Sequence, residues 1–278
     1  MSKFLSQAAV TEFDNEVKHQ YQQSGKLRDC VTQRTGVTGE AYKFTRMAKG
    51  LANQKASQAD VTPMDIEHSR QTATLENWNA PEYTDIFDQA EVNFDEKQEL
   101  ASTIAMALAR RVDQIIIDSM TAVTFSATPT TIDQGTSIAD GGTGLTVAKL
   151  RAASRALSAL GVDEGDRYMA YTAADRENLL AEEETTSSDY NTVKALVNGQ
   201  LDTFVGFKFK LVDDRTEGGL PSGVNYAWHK KAVGLAVGMD INTRVDWVAQ
   251  KTSWLCNGML KCGAVAREGN GIVQVNNV

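Results

Sequence analysis

The chain has 278 residues, 42% of them hydrophobic and 23% charged, with a net charge of −8 and a pI of about 5.0. This is ordinary globular composition, enough for a sizeable core in one large or two modest domains. A protein whose main work is gripping nucleic acid needs a basic surplus to neutralise phosphates, so the acidic balance argues that any DNA nearby is contained or excluded rather than bound.

Residues 1–40 are polar with scattered apolar positions. Phe4, Phe13, Val17 and Tyr21 suffice for one amphipathic turn or two, and Gly25, Gly36 and Gly39 discourage a continuous helix, so the segment reads as an arm. Tyr42–Met47 alternates apolar and polar as a strand does, and Arg70–Glu76 reads as its return partner. Between them Gly50–Met64 is rich in Ala, Gln, Ser and Asp, which makes the whole a long two-stranded hairpin. Such a hairpin is marginal in water by itself and needs support from another part of an assembly.

The strongest pattern runs from Asp95 to Met120. Leu100, Ile104, Leu108, Val112 and Ile115 recur at three- to four-residue spacing and line one helical face. Asp95 stands where an N-cap belongs, Gln98 where its capping-box partner belongs, and neither Gly nor Pro interrupts the run. The rod would be roughly 39 Å long. Thr121–Gly144, rich in Thr, Ser and Gly with Pro129, reads as a loop. A second helix spans Thr146–Leu160, capped by Thr146 and closed by Gly161, with Val147, Leu150, Ala153, Leu157 and Leu160 as its apolar face. Arg167–Tyr171 is a strand leading into a helix at Thr172, where Thr172 and Asp175 make a capping pair. That helix ends in Glu182–Glu184, and Val193–Val197 is a further helical turn. Phe204–Val212 reads as one strand, followed by strands at Tyr226–Trp228, Ala232–Val237, Arg244–Val248, Trp254–Gly263 and Ile272–Val275. No internal repeat and no low-complexity tract appears.

Charge is unevenly spread. Residues 1–56 carry nine Lys/Arg against five Asp/Glu, whereas residues 57–100 carry two against eleven. A basic arm followed by an acidic stretch would draw neighbouring copies together head to tail; two solvated faces that never meet is the plain alternative. Cys30, Cys256 and Cys262 fit neither a disulfide framework nor a zinc site. The start Met1-Ser2-Lys3-Phe4-Leu5 lacks the apolar run of a signal peptide, and no stretch approaches the roughly 18 apolar residues of a membrane span. The expectation is a soluble intracellular product with no membrane partner.

No catalytic constellation stands out. His19 and His68 fall in the arm and hairpin, His229 sits beside Lys230 and Lys231 at a strand end, and there is no Gly-x-Ser-x-Gly elbow. Gly141-Gly142-Thr143-Gly144 precedes a helix but lacks the Gly-Lys-Ser/Thr of a phosphate loop, so it reads as a flexible linker. The acidic groups Asp163/Glu164/Asp166, Glu182–Glu184 and Asp213/Asp214 read as solvated loops, since a hard cation needs three or more converging oxygens. Trp78, Trp228, Trp247 and Trp254 are scattered without basic interleaving and read as core or interface anchors. We expect no catalytic residue, no metal and no cofactor, and an assembling structural protein.

Four stretches carry a family likeness: Met169–Leu180, a strand running into a helix; Gly199–Phe209; Ala227–Ala236; and the ending Gly263–Val275. Their order, with an arm, a long hairpin and a long helix in front, resembles the major capsid proteins of tailed bacteriophages, which have the Hong Kong ninety-seven fold. The resemblance implies an α+β chain with an N-arm at 1–40, a long β-hairpin E-loop at 41–90, a peripheral domain with a spine helix at 91–145 and 241–278, and an axial domain at 146–240. It implies self-assembly through hexamers and pentamers into an icosahedral head shell that encloses double-stranded DNA without sequence-specific binding. It places the product in the virion, assembled in the host bacterial cytoplasm.

The same resemblance makes the arm, hairpin and acidic stretch the regions of intersubunit contact. The candidates there are Phe4, Phe13 and Trp78, the cations Arg28, Arg34, Arg46, Lys49 and Lys55, and the carboxylates Glu67, Glu76, Asp85 and Asp88. The sequence leaves little room for a long N-terminal scaffolding segment, and its start at Met1 favours a separate scaffolding protein. A portal is a further implied partner, and a decoration protein is left open. Two alternatives stand beside this reading: an encapsulin-type nanocompartment shell, and a cytosolic metal-dependent hydrolase using the acidic clusters.

Overall fold

A computed structural model describes residues 24–87, 96–181, 203–212 and 217–277. The calls on the acidic run Glu182–Glu184, on Val193–Val197, on Asp213/Asp214 and on the front of the arm lie outside them. The chain divides into two compact units. Among the described residues, the smaller draws on Trp78–Ala109 and Ile241–Leu260, and the larger on Gly25–Asn77, Arg110–Asp240 and the chain from Lys261 onward.

The strands in chain order are β1 (Thr32–Thr35), β2 (Ala41–Met47), β3 (His68–Thr74), β4 (Glu76–Asp85), β5 (Phe125–Ser126), β6 (Gly135–Ile138), β7 (Arg167–Tyr171), β8 (Thr203–Phe204), β9 (Phe207–Leu211), β10 (Val224–His229), β11 (Val233–Val248), β12 (Ser253–Ala266) and β13 (Ile272–Asn276). The helices are α1 (Glu96–Thr121), α2 (Val147–Ala159) and α3 (Ala173–Ala181). Three sheets result: β1-β11-β12-β4, β5-β6-β13-β10-β7-β9-β8, and β2-β3.

The long helix follows its sequence pattern with one change of face. Ile104, Leu108, Val112, Ile116 and Met120 are buried at a strict four-residue step, so Ile116 takes the place expected of Ile115, which is half-buried. A step of four drifts around a 3.6-residue helix, and the buried stripe drifts with it.

In the smaller unit, β12 lies close against α1. A Cβ at Gly258 would collide with Ile104 and would meet the Leu108 side chain at 2.8 Å. Glycine is needed there because the strand backbone touches the helix's apolar stripe directly.

The larger unit is built on the seven-stranded sheet. β10 runs antiparallel to both β13 and β7, while β7–β9 and β13–β6 are parallel. Leu150, Leu157, Met169, Phe207, Val273 and Val275 form its core with α2 and α3. Trp228 is fully buried and its indole N–H donates to the Cys30 carbonyl at 2.9 Å. Two of the three expected N-caps form: the Lys149 amide donates to Thr146 Oγ1, and Thr172 and Asp175 exchange reciprocal side-chain and backbone bonds, while Asp95 lies outside the described residues. Gly161, at φ +75°, closes α2 while the Val162 amide donates to Leu157 O at 3.0 Å.

Three sequence expectations change. Phe204–Val212 is not one strand but the hairpin β8–β9, because Val205 and Gly206 both take positive φ (51° and 82°), the geometry of a two-residue hairpin turn. Ala232–Val237 and Arg244–Val248 are parts of the single 16-residue β11. The loop 121–144 contains β5 and β6, and β6 extends the sheet in parallel with β13.

Candidate assembly surfaces

The hairpin forms as read, with β2 and β3 paired antiparallel from Ala41↔Thr74 to Met47↔His68. Beyond Leu75 the chain enters β4, a ten-residue strand of the four-stranded sheet that the alternation of Arg70–Glu76 did not announce. The hairpin root is packed. Phe44, Ala73, Leu75 and Ala236 form a small buried cluster, and a Cβ at Gly234 would meet the Phe44 ring at 2.7 Å. Likewise a Cβ at Gly263 would run into the Thr74 carbonyl, so β12 passes within contact of the hairpin's return strand.

Polar bonds fix the same root. Arg46, 9% exposed, reaches Asp133 at 2.6 Å and donates to the Arg267 carbonyl at 2.7 Å and to Ser69 Oγ at 2.6 Å. Gln71 donates to the same carboxylate oxygen, Asp133 Oδ1, at 3.0 Å. The hydrogen bond from Arg46 holds the Asp133 carboxyl below its ordinary pKa. Lys49 Nζ donates to the Leu160 carbonyl at 2.9 Å, at the C-terminal end of α2 where the helix dipole favours a cation.

The far part of the hairpin is exposed. Leu51 and Val61 are 79% and 77% exposed, Met47 and Met64 more than half, and Asp60, Asp65 and Glu67 stand in solvent beside them. Large apolar side chains so exposed, on a segment whose root is packed, make this a candidate contact surface. A second such surface lies within the smaller unit. Trp247 and Trp254 meet edge to face at 5.2 Å, Lys251 Nζ sits 3.7 Å from the centre of the Tyr83 ring, and Tyr83, Phe87, Val245 and Trp247 remain exposed.

The sequence candidates divide accordingly. Phe4, Phe13 and Asp88 lie outside the described residues. Arg34, Lys55, Glu67 and Glu76 are exposed, and Trp78 is half-buried. Three of the cations bond within their own chain. Arg46 and Lys49 do so at the hairpin root, and Arg28 makes a two-pronged pair with Asp240 at 2.8 and 2.7 Å, which raises its pKa. Asp85 accepts from the Phe87 amide at 2.9 Å and shapes the turn after β4. The part of the arm from Gly25 onward is packed as well: Leu27, Cys30 and Val31 are buried, and β1 pairs in parallel with β11.

Buried polar residues that the sequence reading passed over fix other parts of the larger unit. Asp113, fully buried on α1, accepts from the amides of Lys26 and Leu27 at 2.8 and 2.9 Å. Arg167, 2% exposed, donates to the carbonyls of Asp163 and Val162 and so clamps the turn after α2. Lys149 Nζ donates to Thr143 O, Gly144 O, Asn276 O and Asn277 Oδ1, at 2.7 to 3.2 Å. A buried polar residue inside a helical apolar pattern was the available signal for Asp113 and Lys149.

The glycine loop before α2 is therefore not a flexible linker. Its carbonyls grip Lys149, while the amides of Gly142 and Thr143 donate to Asp140. His229 is buried, and its Nδ1 accepts from the Lys231 amide at 3.2 Å. Asp166 pairs with Lys208 at 2.7 Å. Among the described residues no three His, Cys, Asp or Glu side chains converge as metal ligands. No helix among them is long and apolar enough to cross a membrane.

Solved structures similar to this chain include phage capsids. The capsid of cyanophage P-SCSP1u matches with a TM-score of 0.77 at 14% identity, over 100% of this chain and 95% of that one. The head of Helicobacter pylori bacteriophage KHP40 matches at 0.77 and 11%, over 97% and 96%. The capsid of a native GTA particle matches at 0.75 and 14%, over 100% and 99%. At such identities the likeness is one of fold, and it is the Hong Kong ninety-seven type fold of a shell-building subunit. No curated protein matches by sequence. The family described as phage capsid protein matches residues 5–278, and this chain belongs to it. It is a major capsid protein, and neither the encapsulin-type shell nor the hydrolase finds support.

Proposed function

We propose that the chain assembles through hexamers and pentamers into an icosahedral head around double-stranded DNA, holding that DNA without reading its sequence, and that it performs no catalysis. The observation that carries this reading is the hairpin: its root is locked by Phe44, Arg46 and Lys49, while Leu51, Val61 and Met64 lie bare beyond it. In a lone subunit that exposure is a liability; covered by a neighbour it becomes an interface. In this reading residues 1–40 serve as the N-arm and 41–90 as the E-loop that overlaps a neighbour. Residues 91–145 and 241–278 form the peripheral domain, and 146–240 the axial domain. The exposed members of the contact set, Arg34, Lys55, Glu67 and Glu76, meet neighbouring copies. A separate scaffolding protein and a portal are the expected partners, with assembly in the host cytoplasm.

Expression of the chain followed by negative-stain microscopy tests the reading. Closed shells, capsomers or tubes are expected. Sedimentation as a monomer at all concentrations would refute it. Charge reversal within 57–100 should slow assembly in a salt-dependent way, and salt-insensitive assembly would remove the electrostatic contribution.

A further inference from the structure

Three side chains of the larger unit meet where the first turn of α2 faces the end of the chain. Lys149, 7% exposed on α2, directs Nζ at the side-chain carbonyl of Asn277, with 3.2 Å between Nζ and Oδ1. The same amide donates from Nδ2 to Asp175 Oδ1 at 3.0 Å, and Asp175 is 6% exposed on α3. An amine, a carboxamide and a carboxyl therefore stand in a row, with the carboxamide in the middle.

Each member is held in place. Thr143 O, Gly144 O and Asn276 O accept from Lys149 Nζ at 2.7 to 2.9 Å. The Thr172 amide and hydroxyl both donate to Asp175 Oδ2, which leaves Oδ1 for Asn277. The Asn277 backbone amide donates to Gly223 O at 2.8 Å and anchors the residue just past β13. Asn277 Cγ lies one carbonyl bond from Oδ1, so it is no farther than about 4.4 Å from Nζ.

These are the parts of an acyl transfer: a nucleophile, an electrophile and a proton carrier. An ammonium has three protons and Nζ faces four acceptors, so one of them is always poorly served. Burial lowers the Lys149 pKa, while Asp140 and Asp175 pull it back up. Moving a proton from a buried ammonium to a buried carboxylate removes two charges from a setting that solvates neither well.

We propose that Lys149 and Asn277 join in an intrachain isopeptide bond, with Asp175 carrying the protons. Lys149 passes a proton to Asp175, and its freed lone pair attacks Asn277 Cγ. The Nζ–Cγ bond forms, the Cγ–Nδ2 bond breaks, and the two protons that Nζ gives up leave with Nδ2 as ammonium. Asp175 ends ionised, and nothing is oxidised or reduced. The reaction runs once per chain and ties the start of α2 to the segment after β13. It needs no second copy of the chain, so it stands or falls apart from shell assembly.

Intact-mass spectrometry of the purified full-length chain tests this. The expected mass is that of the sequence less one ammonia, and trypsin should release a branched peptide joining residues 149 and 277 that hydroxylamine does not cleave. The full sequence mass after prolonged incubation would overturn the proposal. So would an ammonia loss mapped to the Asn-Gly pairs at 198, 257 or 270, where a cyclic imide gives the same loss and hydroxylamine opens it. Asn277→Ala, close to the chain end, should restore the full mass, and an ammonia loss persisting in it would count against the bond. Asp175→Ala, checked for folding by far-UV circular dichroism, should slow the appearance of the branched peptide by about a hundredfold or more. A wild-type rate in that variant would refute the part given to Asp175.

Discussion

Asp113→Ala tests how the N-terminal segment is moored. Both carboxylate oxygens of this buried side chain accept backbone amides, from Lys26 at 2.8 Å and from Leu27 at 2.9 Å. Hydrogen bonds to a charged acceptor contribute about 1.5–3 kcal/mol each, so losing both removes roughly 3–6 kcal/mol from the docked state. The segment has a cheaper route than burying two bare amides, which is to undock Gly25–Val31 and expose Leu27, Cys30 and Val31. Hydrogen exchange on dissociated subunits reads this directly. At about 1.4 kcal/mol per tenfold, the loss of 3 kcal/mol should reduce protection across Leu27–Val31 by about a hundredfold. Asp113→Asn, which keeps one carbonyl acceptor, should fall between. Cys30 supplies a second readout: it is 1% exposed and burial pushes its pKa up to about 11, so it should resist thiol reagents in the native chain and label rapidly in the variant. Unchanged exchange and unchanged labelling in Asp113→Ala would refute the mooring argument.

Other perturbations follow from the same geometry. Arg46→Met removes the donors to Asp133, Ser69 and the Arg267 carbonyl; with the half-exposed Asp133 pair discounted for solvent, the cost is about 2 kcal/mol, and proteolysis between Met47 and His68 should accelerate. Because Arg46 depresses the Asp133 pKa below 3.8, that contact stabilises above the ordinary carboxylate range and is lost as pH falls through the lowered value; the variant should lack this acid sensitivity. Burial, then Lys231, holds the His229 pKa below 6.5. As pH drops below about 6.5 the unfolded chain takes up a proton that the folded chain refuses, so stability falls. His229→Gln should flatten the urea midpoint between pH 7.5 and pH 5, and a persisting slope of equal size would exclude His229 as its source. Gly263→Ala drives a methyl into the Thr74 carbonyl, and loss of soluble protein is expected; wild-type thermal stability in that variant would contradict the close approach.

The sequence disclosed elements whose periodicity is uninterrupted and concealed those whose signal is a single backbone conformation. The 3.6-residue repeat through Ile104, Leu108 and Val112 marked α1 to within a residue at each end. The alternation in Tyr42–Met47 marked β2. By contrast, Val205 is a β-branched residue in a left-handed conformation, the residue type least expected in a turn, so β8 and β9 read as one strand. Asp240 and Asn242 broke the apolar run of β11 and made one strand look like two. On the hairpin, the polar tip was legible as such, but Leu51, Val61 and Met64, the large apolar residues exposed there, were not singled out among the contact candidates. The role of Arg28 was not legible either, because its partner Asp240 lies 212 residues away and nothing local pairs them.

The locked root and bare tip of the hairpin make one physical argument. A two-stranded hairpin in water holds itself together poorly, and its tip would pay a large entropic cost if a neighbour had to order the whole of it on binding. Phe44 under Gly234, Arg46 on Asp133 and Lys49 on the end of α2 fix its base during folding of the subunit. What remains to be ordered on assembly is the stretch between Ala48 and Glu67, which carries Leu51, Val61 and Met64. In the assembly proposed above, the subunit would present these apolar residues on a preoriented stalk, and burial against a neighbour would be offset by the ordering of a short loop rather than of an entire arm. Weakening the root and stripping the tip are therefore different perturbations: the first should slow shell formation by raising the ordering cost, and the second should weaken the finished contact.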